Sequence, residues 1–360
     1  MHIVLVSFLF IVYYLLGGDK GIYNKKVRRD QVVIMGGALF LFAALRAYTV
    51  GTDVERYYYD MYSSGVGNTL LDWYQNNSFR DPGFFLAIGL MQLVSSDPQI
   101  MLAVIGALVA FGFSYFTYHE KGSVLLFFMM FIGFRVFSFT LSGLRQASAM
   151  SIIFIAYIQL KKNRNIAYLL LTLLASTFHM SSLIFLLAYP VMKLKKTYIL
   201  IAGVLGVSVV NIITSNAIAA VMASLFFNDR FEGYIARSQN MVFEGSFTLY
   251  IYLVVYFTSL YYFKKISSLD PIFYRDYNVL TIGIFFAILG QTMDNVFRIA
   301  YYFIFPIYPV FCLVLISIGK NRSTTTLLVP FVTLLLAMQY ILLGPGAGTE
   351  VYRFFWQVNY

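Results

Sequence analysis

The stretch VLLFFMMFIGFRVFSFTLSGLRQASAMSIIFIAYIQL, residues 124–160, contains two arginines, Arg135 and Arg145, within a long apolar run. A helix that crosses a lipid bilayer needs roughly 20 predominantly apolar residues, so this run is typical of membrane-spanning helices. A charged side chain at membrane depth costs at least about 2.5 kcal/mol, and such residues usually serve a function. The stretch therefore predicts membrane helices and marks both arginines as candidate functional residues.

The rest of the chain has the same apolar character. Of its 360 residues, 60% are hydrophobic and 12% are charged, whereas about a quarter of the residues in a soluble domain are charged. We predict an all-α, polytopic integral membrane protein with a single transmembrane domain over residues 1–360. The net charge of +10 does not indicate nucleic-acid binding, because the basic residues cluster in short connectors between apolar runs.

Cysteine and histidine usage argues against a metal site. The single cysteine, Cys312, lies in an apolar run, and none of the three histidines is paired with another at helical spacing. We therefore expect no disulfide framework, no bound metal and no cofactor.

Apolar runs separated by polar connectors recur along the whole chain. The candidate spans are 2–17, 31–49, 83–96, 99–117, 122–140, 145–160, 165–179, 181–194, 197–215, 247–263, 278–295, 298–318 and 324–343. The longest polar connectors are 50–82 and 216–246, and a polar tail follows at 344–360.

The lysines indicate which ends of these spans face the cytoplasm. All of them except Lys121 lie in basic clusters, and basic residues in short loops mark the cytoplasmic side. The clusters at 20–30 and 161–164 then require an even number of crossings between them. The short segment 83–96 is therefore predicted to be a re-entrant or interfacial helix on the outer side. About twelve crossings remain, with both termini and the two longest connectors outside.

The arginines are distributed differently from the lysines. In this orientation most of them lie in the outer half of the membrane or in outer loops, where the positive-inside rule predicts depletion. A planar guanidinium binds phosphate or carboxylate through two parallel hydrogen bonds and is less strongly hydrated than an ammonium group. We therefore predict an outward-facing pocket for a multiply charged anion, such as the pyrophosphate of a lipid headgroup. The arginines concerned are Arg46, Arg56, Arg80, Arg135, Arg145, Arg230, Arg237, Arg298 and Arg353.

Pairing with a nearby acid is the alternative for several of these arginines. The candidate pairs are Arg298 with Asp294, Arg56 with Asp53 or Asp60, Arg80 with Asp81, and Arg230 with Asp229. No acid lies close in sequence to Arg135 or Arg145, so these two are the strongest candidates for binding an anion.

Carboxylates and tyrosines occur together in the segment RAYTVGTDVERYYYDMY, residues 46–62. Carboxylates can hold sugar hydroxyls and aromatic faces pack against pyranose rings, so this segment is a candidate sugar-binding surface. The outer segment 226–247 is a second candidate. The alternative for both is an ordinary aromatic belt at the membrane interface.

Two residues are candidates for a proton acceptor on the outer side. His179 lies in STFHMSSL, residues 176–183, in the outward turn between two predicted spans. An imidazole there can act as a general base or bind a reacting hydroxyl, and a purely structural histidine is the alternative. Asp53 is the second candidate.

Four segments together resemble the EpsG family. They are LRAYTVGTDVERYYYDMY (45–62), GLRQASAMSIIFIAY (143–157), STFHMSSLIF (176–185) and DNVFRIAYYFIF (294–305). Members of this family are Wzy-type polysaccharide polymerases encoded with exopolysaccharide, capsule and O-antigen genes. The resemblance implies functional roles for Arg46, Gly51, Thr52, Asp53, Arg145, Gln146, His179, Asn295 and Arg298.

The resemblance also implies a fold and an activity. The expected protein is a GT-C-like glycosyltransferase of the bacterial inner membrane that requires no metal. It would join oligosaccharide repeat units carried on undecaprenyl pyrophosphate at the periplasmic face. Its partners would be the lipid-linked donor and acceptor, membrane lipids and a protein that regulates chain length.

The expected mechanism centres on the leaving group. Negative charge develops on undecaprenyl pyrophosphate as the anomeric bond breaks, and preorganised arginines would stabilise it. The catalytic candidates are Arg145, Arg298, His179 and Asp53. The substrate-binding candidates are Arg46, Arg135, Gln146, Arg56, Thr52, Asp294, Asn295, Arg230 and Arg237.

Two other functions share these features. A flippase for lipid-linked sugars would also use outward arginines, but it is expected to have coupling ionisable groups near the midplane and pseudo-symmetric halves. The sequence indicates few mid-span acids and no internal repeat. A ligase that transfers finished polymer to another lipid would share the chemistry and differ in its acceptor.

Overall fold

The computed structural model describes residues 2–63, 81–214, 221, 246–291 and 294–319, and in the C-terminal part residues 332–333, 335–337, 340, 344 and 346–358. In this part of the chain the regular elements are helical, and the only extended pairing is an isolated bridge between Arg46 and Phe354. The prediction of an all-α fold is therefore confirmed.

The chain divides into two compact units, Met1–Leu183 with Thr326–Tyr360, and Ile184–Thr325. The single domain predicted for residues 1–360 stays a prediction. Residues 64–80, 215–220 and 222–245, which form most of the two predicted outer loops, lie outside the described residues.

Helices of 7 to 21 residues build the first unit. They are α1 (His2–Leu15), α2 (Lys25–Ala44), α3 (Pro82–Val94), α4 (Gln99–His119), α5 (Val124–Gly133), α6 (Val136–Ser142), α7 (Leu144–Lys161) and α8 (Asn165–Phe178). Short helical segments occur at Lys20–Tyr23, Val54–Arg56, Tyr57–Tyr62 and Phe355–Gln357.

The second unit follows a 3₁₀ segment, Met180–Leu187, along the chain. Its helices are α9 (Ala188–Lys193), α10 (Thr197–Ile213), α11 (Ser246–Tyr261), α12 (Phe263–Leu269), α13 (Phe273–Leu289), α14 (Asp294–Ala300) and α15 (Ile307–Ile318).

Helix α7 packs against α4 and α8 in the first unit, and most of its side chains are buried. At its C-terminal end, Lys161 forms an ion pair of 2.7 Å with Glu120, which directly follows α4. At the opposite end of α4, the side-chain amide of Gln99 donates to the backbone carbonyl of Ala44 at 2.6 Å. A helix rises 1.5 Å per residue, so Arg145 lies roughly 24 Å from Lys161 along α7. Lys161 and Arg145 therefore lie at opposite ends of the first unit.

Two predicted spans are not continuous helices. In the predicted span 122–140, α5 and α6 meet at a bend of 58°, and Arg135 at the break has a left-handed φ of 60°. A left-handed residue interrupts the helical hydrogen-bond ladder. The predicted span 298–318 is interrupted between Ala300 and Ile307, where Pro306 supplies no backbone N–H. The helix is therefore broken within each of these predicted spans, and their membrane crossing stays a prediction.

Among the described residues, only α4 is long and apolar enough by itself to cross a bilayer, and α5 with α6 would be a second crossing if the bent pair is one span. Shorter apolar helices occur as well. The segment predicted to be re-entrant forms α3, a helix of 13 residues. Its membrane placement and the number of crossings stay predictions.

Candidate active site

The guanidinium of Arg145 lies in the first turn of α7 and bonds two residues from other parts of the first unit. Its Nε donates to the hydroxyl of Tyr57 at 3.0 Å, and its Nη1 donates to Oδ2 of Asp81 at 2.7 Å. The second contact is a salt bridge with residue 81, which precedes Arg145 by 64 positions. No acid lies close to Arg145 in the sequence, and tertiary packing supplies one from a distant part of the chain.

Asp81 is the most buried member of this cluster. Its side chain is 2% exposed, whereas that of Arg145 is 23% exposed. Its other oxygen, Oδ1, accepts the backbone N–H of Met180 at 3.0 Å. A buried carboxylate is stable only when its charge is paired and its oxygens are hydrogen-bonded, and these contacts satisfy both conditions.

His179 lies immediately after α8 and faces the same carboxylate. Its Nδ1 is 3.8 Å from Oδ2 of Asp81, which is longer than a hydrogen bond. This nitrogen is buried and has no hydrogen-bond partner among the described residues. The whole side chain is 21% exposed, so the imidazole lies at the surface of the cluster with its Nδ1 edge turned inward.

A glycine brings α3, which begins next to Asp81, against the end of α8. A methyl group at Gly83 would overlap the side chain of Thr177 and crowd its backbone. Only glycine allows this approach. Gly83 therefore lets Asp81 come within reach of His179, which is two residues beyond Thr177.

Tyr57 completes the cluster by accepting the second hydrogen bond of Arg145. Its ring packs edge-to-face against Phe84 at 5.7 Å, and the side chain is buried. The guanidinium carbon of Arg145 is 5.9 Å from the centre of this ring. Because the ring of Tyr57 is packed against Phe84 and the carboxylate of Asp81 is bonded to the backbone of Met180, the two partners fix the orientation of the guanidinium plane.

The loop with Thr52 and Asp53 lies against the residues that precede α7. The hydroxyl of Thr52 is 2.7 Å from that of Ser142, and the backbone N–H of Asp53 is 3.4 Å from the same Ser142 oxygen. Gly51 has a φ of +110°, which favours glycine. Thr52 and Asp53 are both exposed to solvent.

The C-terminal segment 346–358 pairs with this loop. The backbone N–H of Gly51 donates to Gly348 at 2.9 Å, and that of Ala47 donates to Arg353 at 2.8 Å. This pairing fixes the chain that follows α2 at the Arg145 end of the first unit.

Arg46 does not fit the role predicted for it in substrate binding. Its side chain is 1% exposed, and it donates to the backbone carbonyls of Ala43 at 2.6 Å and Leu141 at 2.9 Å. The last carbonyl oxygens of a helix have no hydrogen-bond partner within that helix. The guanidinium of Arg46 supplies the donors for one such oxygen at the end of α2 and one at the end of α6. The geometry gives Arg46 a role in joining two helix ends.

We expect Arg46→Ala to lower stability, because it leaves a cavity and deprives two buried carbonyl groups of their donor. The loss should be about 2–4 kcal/mol, measured as a fall in the thermal unfolding midpoint of the detergent-solubilised protein. Any protein that folds should keep its activity per molecule. Unchanged stability with lost activity would instead place Arg46 in the binding site.

The other predicted site residues are less closely connected to Arg145. Gln146 is buried in α7, Arg135 is half-buried at the bend between α5 and α6, and Arg56 is exposed. Arg298 is half-buried in α14 of the second unit. Its predicted proximity to Arg145 stays a prediction.

Some predicted residues cannot be placed in the site. The side chains of Asp294 and Asn295 lie outside the described part of the structure, as do Arg80, Arg230 and Arg237 altogether. Among the described residues, no group of three or more His, Cys, Asp and Glu side chains could hold a metal ion.

The sequence did not point to Asp81 or Ser142 as members of the site, and it placed Tyr57 only within a candidate sugar-binding segment. It indicated Asp81 only as a partner for its neighbour Arg80. One signal was present: Asp81 precedes Pro82 and Gly83 at the start of an apolar run, and aspartate before an N-terminal proline usually caps a helix. It makes no side-chain cap bond here, so its carboxylate is used elsewhere.

The described residues form an all-α fold of largely apolar helices. At one end of the first unit, a buried carboxylate is paired with a partly exposed guanidinium. The chain belongs to the EpsG family, whose model matches residues 31–354. It is therefore a membrane protein of polysaccharide biosynthesis, of a family associated with polymerase-like membrane proteins. Comparison with curated proteins and with solved structures found no match.

Proposed function

We propose that the protein is a membrane glycosyltransferase that polymerises oligosaccharide repeat units linked to undecaprenyl pyrophosphate. The observation that carries this proposal is the cluster of Arg145, Asp81 and His179. It combines a partly exposed guanidinium, a buried carboxylate that orients it, and an imidazole beside them. These groups suit the departure of a diphosphate and the removal of a proton from a sugar hydroxyl.

The reaction transfers a growing glycan from one lipid carrier to the terminal sugar of a second carrier-linked repeat unit. The acceptor hydroxyl oxygen forms a bond to the anomeric carbon of the donor, and the bond from that carbon to the pyrophosphate oxygen breaks. The electron pair leaves with undecaprenyl pyrophosphate. The hydroxyl proton passes to a base, for which His179 is the better placed candidate, because it lies beside Asp81 and Arg145 whereas Asp53 is exposed.

Arg145 is suited to stabilise the leaving group. A guanidinium has five N–H donors, and the bonds to Tyr57 and Asp81 use two of them. With respect to the described residues, three donors therefore remain for further partners such as diphosphate oxygens. Because Asp81 already orients the side chain, little reorganisation is needed as charge develops.

Asp81 also neutralises much of the charge of Arg145, so a diphosphate needs further cations. We assign this role to Arg298, with Arg56 and Arg135 as additional candidates. The GT-C-like fold and the placement of this pocket at the outer face of the inner membrane belong to the same proposal. The separation of Arg145 from Lys161 on α7 supports it, because lysines mark the cytoplasmic end.

The test is an assay of the purified protein in lipid nanodiscs with repeat units linked to undecaprenyl pyrophosphate. We expect a ladder of longer glycans. Arg298→Ala should reduce chain growth by about 10²-fold or more, whereas Lys264→Ala in α12 should leave it unchanged. Equal activity of both variants would defeat the assignment of Arg298.

The same assay separates the alternatives. A change in the sidedness of the lipid-linked sugar without a ladder would identify a flippase. Transfer of finished polymer to a different lipid acceptor, with no growth on a second repeat unit, would identify a ligase.

A further inference from the structure

We propose that Asp81 is a positioning residue that fixes the proton of His179 on Nδ1 and leaves Nε2 free to accept a proton. The inference rests on the proposed function, in which His179 is the base for the acceptor hydroxyl. It assigns a role to a buried carboxylate that the sequence did not single out.

The first support comes from the contacts of the two carboxylate oxygens of Asp81. Oδ1 accepts the backbone N–H of Met180, the residue after His179, at 3.0 Å. Oδ2 accepts from Arg145 at 2.7 Å and lies 3.8 Å from Nδ1 of His179. The carboxylate therefore holds the backbone beside the imidazole as well as the guanidinium. It does so instead of capping α3, since it makes no cap bond at the start of that helix.

The second support is the buried Nδ1 of His179. This nitrogen has no hydrogen-bond partner among the described residues and is shielded from solvent. A neutral imidazole carries its proton on one nitrogen and a lone pair on the other. A lone pair on Nδ1 would face the negatively charged Oδ2 of Asp81, whereas an N–H on Nδ1 would be attracted to it. The carboxylate thus favours the Nδ1–H tautomer, as orienting carboxylates generally do beside a histidine.

The tautomer of His179 determines the protonation of Nε2, the other ring nitrogen. With its proton on Nδ1, His179 presents an unprotonated Nε2, which is the atom that can take the proton of a sugar hydroxyl. The separation of 3.8 Å between Nδ1 and Oδ2 is wider than a hydrogen bond, but such contacts in ligand-free sites often shorten when substrate binds. One carboxylate oxygen thereby sets the relative position of the base and of the arginine that faces the leaving group.

The most direct test measures the tautomer of His179 itself. The chain has only three histidines, so ¹⁵N-histidine labelling gives a simple NMR spectrum, in which a His179→Gln sample assigns the signal of residue 179. We expect Nδ1 of His179 to carry the proton in the wild-type protein at a pH where the ring is neutral. A proton on Nε2 in the wild-type protein would overturn the proposal. This readout needs no enzymatic activity, so it remains valid even if no polymer is formed and the proposed function fails.

The second test is a double-mutant cycle on turnover. Asp81→Asn should lower turnover by about 10²-fold with a KM changed by less than about threefold. It should also weaken the NMR preference for Nδ1–H, because a neutral amide attracts that proton less than a carboxylate does. In a His179→Ala background, the same substitution should cost only about tenfold, because the part that acts through His179 is already lost.

The matched control is Asp30→Asn, which removes an aspartate that pairs with Arg29 at 2.9 Å on the exposed surface. It should change neither turnover nor the His179 signal. Equal losses from Asp81→Asn with and without His179 would mean that Asp81 acts independently of the imidazole, and the proposal would fail.

Discussion

Replacing Arg145 with alanine is expected to lower the rate of chain growth by about 10³-fold or more. Removal of one preorganised donor from a site that stabilises developing charge typically costs about 10²–10³-fold. Arg145 supplies several donors and a full charge, and its orientation is fixed by Tyr57 and Asp81. The measurement is the length distribution of glycans formed by the purified variant from lipid-linked repeat units.

Arg145→Lys should restore little of this activity. A lysine ammonium is a compact point charge on a flexible stem and lacks the planar fork of guanidinium. It cannot bond the hydroxyl of Tyr57 and the carboxylate of Asp81 and still offer paired donors to a diphosphate. We expect at least about 10²-fold lower turnover than in the wild-type protein. Near-normal activity of this variant would show that only the charge matters.

A second substitution separates catalysis from stability at this position. In Arg145→Ala, the carboxylate of Asp81 stays buried without its cation, which is destabilising by up to about 3–5 kcal/mol for a fully buried pair and by less here, since Arg145 is 23% exposed. Adding Asp81→Asn should recover part of the thermal stability without recovering chain growth. Recovery of both would mean that Arg145 is needed only for folding.

Arg29→Ala is the control for Arg145→Ala. Arg29 also pairs with an aspartate, Asp30, but on the exposed surface of α2. Surface ion pairs contribute at most about 1 kcal/mol, so this variant should keep both its stability and its rate of chain growth.

Replacing His179 with alanine is the second change with a large expected effect. A positioned general base contributes about 10²–10⁴-fold, and we expect turnover to fall by about 10³-fold. The KM for the lipid-linked repeat unit should change little, because the imidazole acts on the proton rather than on the diphosphate. Turnover and KM measured separately with the purified variant provide the check.

Two comparisons make the His179 prediction specific. His119→Ala removes an exposed imidazole at the end of α4, where its Nδ1 contacts the carbonyl of Tyr115, and it should have no effect. Asp53→Asn should lower turnover by less than about threefold if His179 is the base. A large loss in Asp53→Asn together with an active His179→Ala would identify Asp53 as the base instead.

The helical segments were largely predictable because their causes are local. Apolar runs of the required length predict helices from the energy of transferring side chains out of water, and α4 and α7 lie close to the predicted spans 99–117 and 145–160. The break at Arg135 was not predictable in this way. Its left-handed backbone leaves no signal in the hydropathy pattern, since no proline or unusual polar run occurs there.

The structural role of each arginine depends on tertiary contacts that the local sequence pattern does not show. Arg46 and Arg145 look alike in the sequence, as single cations among apolar residues. In the structure, Arg46 satisfies two carbonyl groups and is sealed from solvent, whereas Arg145 stays partly exposed and is held by Asp81.

The sequence by itself determined the all-α class and membership in the family, and it marked Arg145 and His179 as candidates. Those conclusions depend on hydropathy, residue type and order along the chain. Only the tertiary structure decided that Asp81 lies between Arg145 and His179. Residues 81 and 179 approach each other because Gly83 lets α3 pack against α8, and Arg145 joins them through the packing of α7 on α8. A contact between segments so far apart in sequence is set by the packing of helix on helix, which one sequence does not encode in any local pattern.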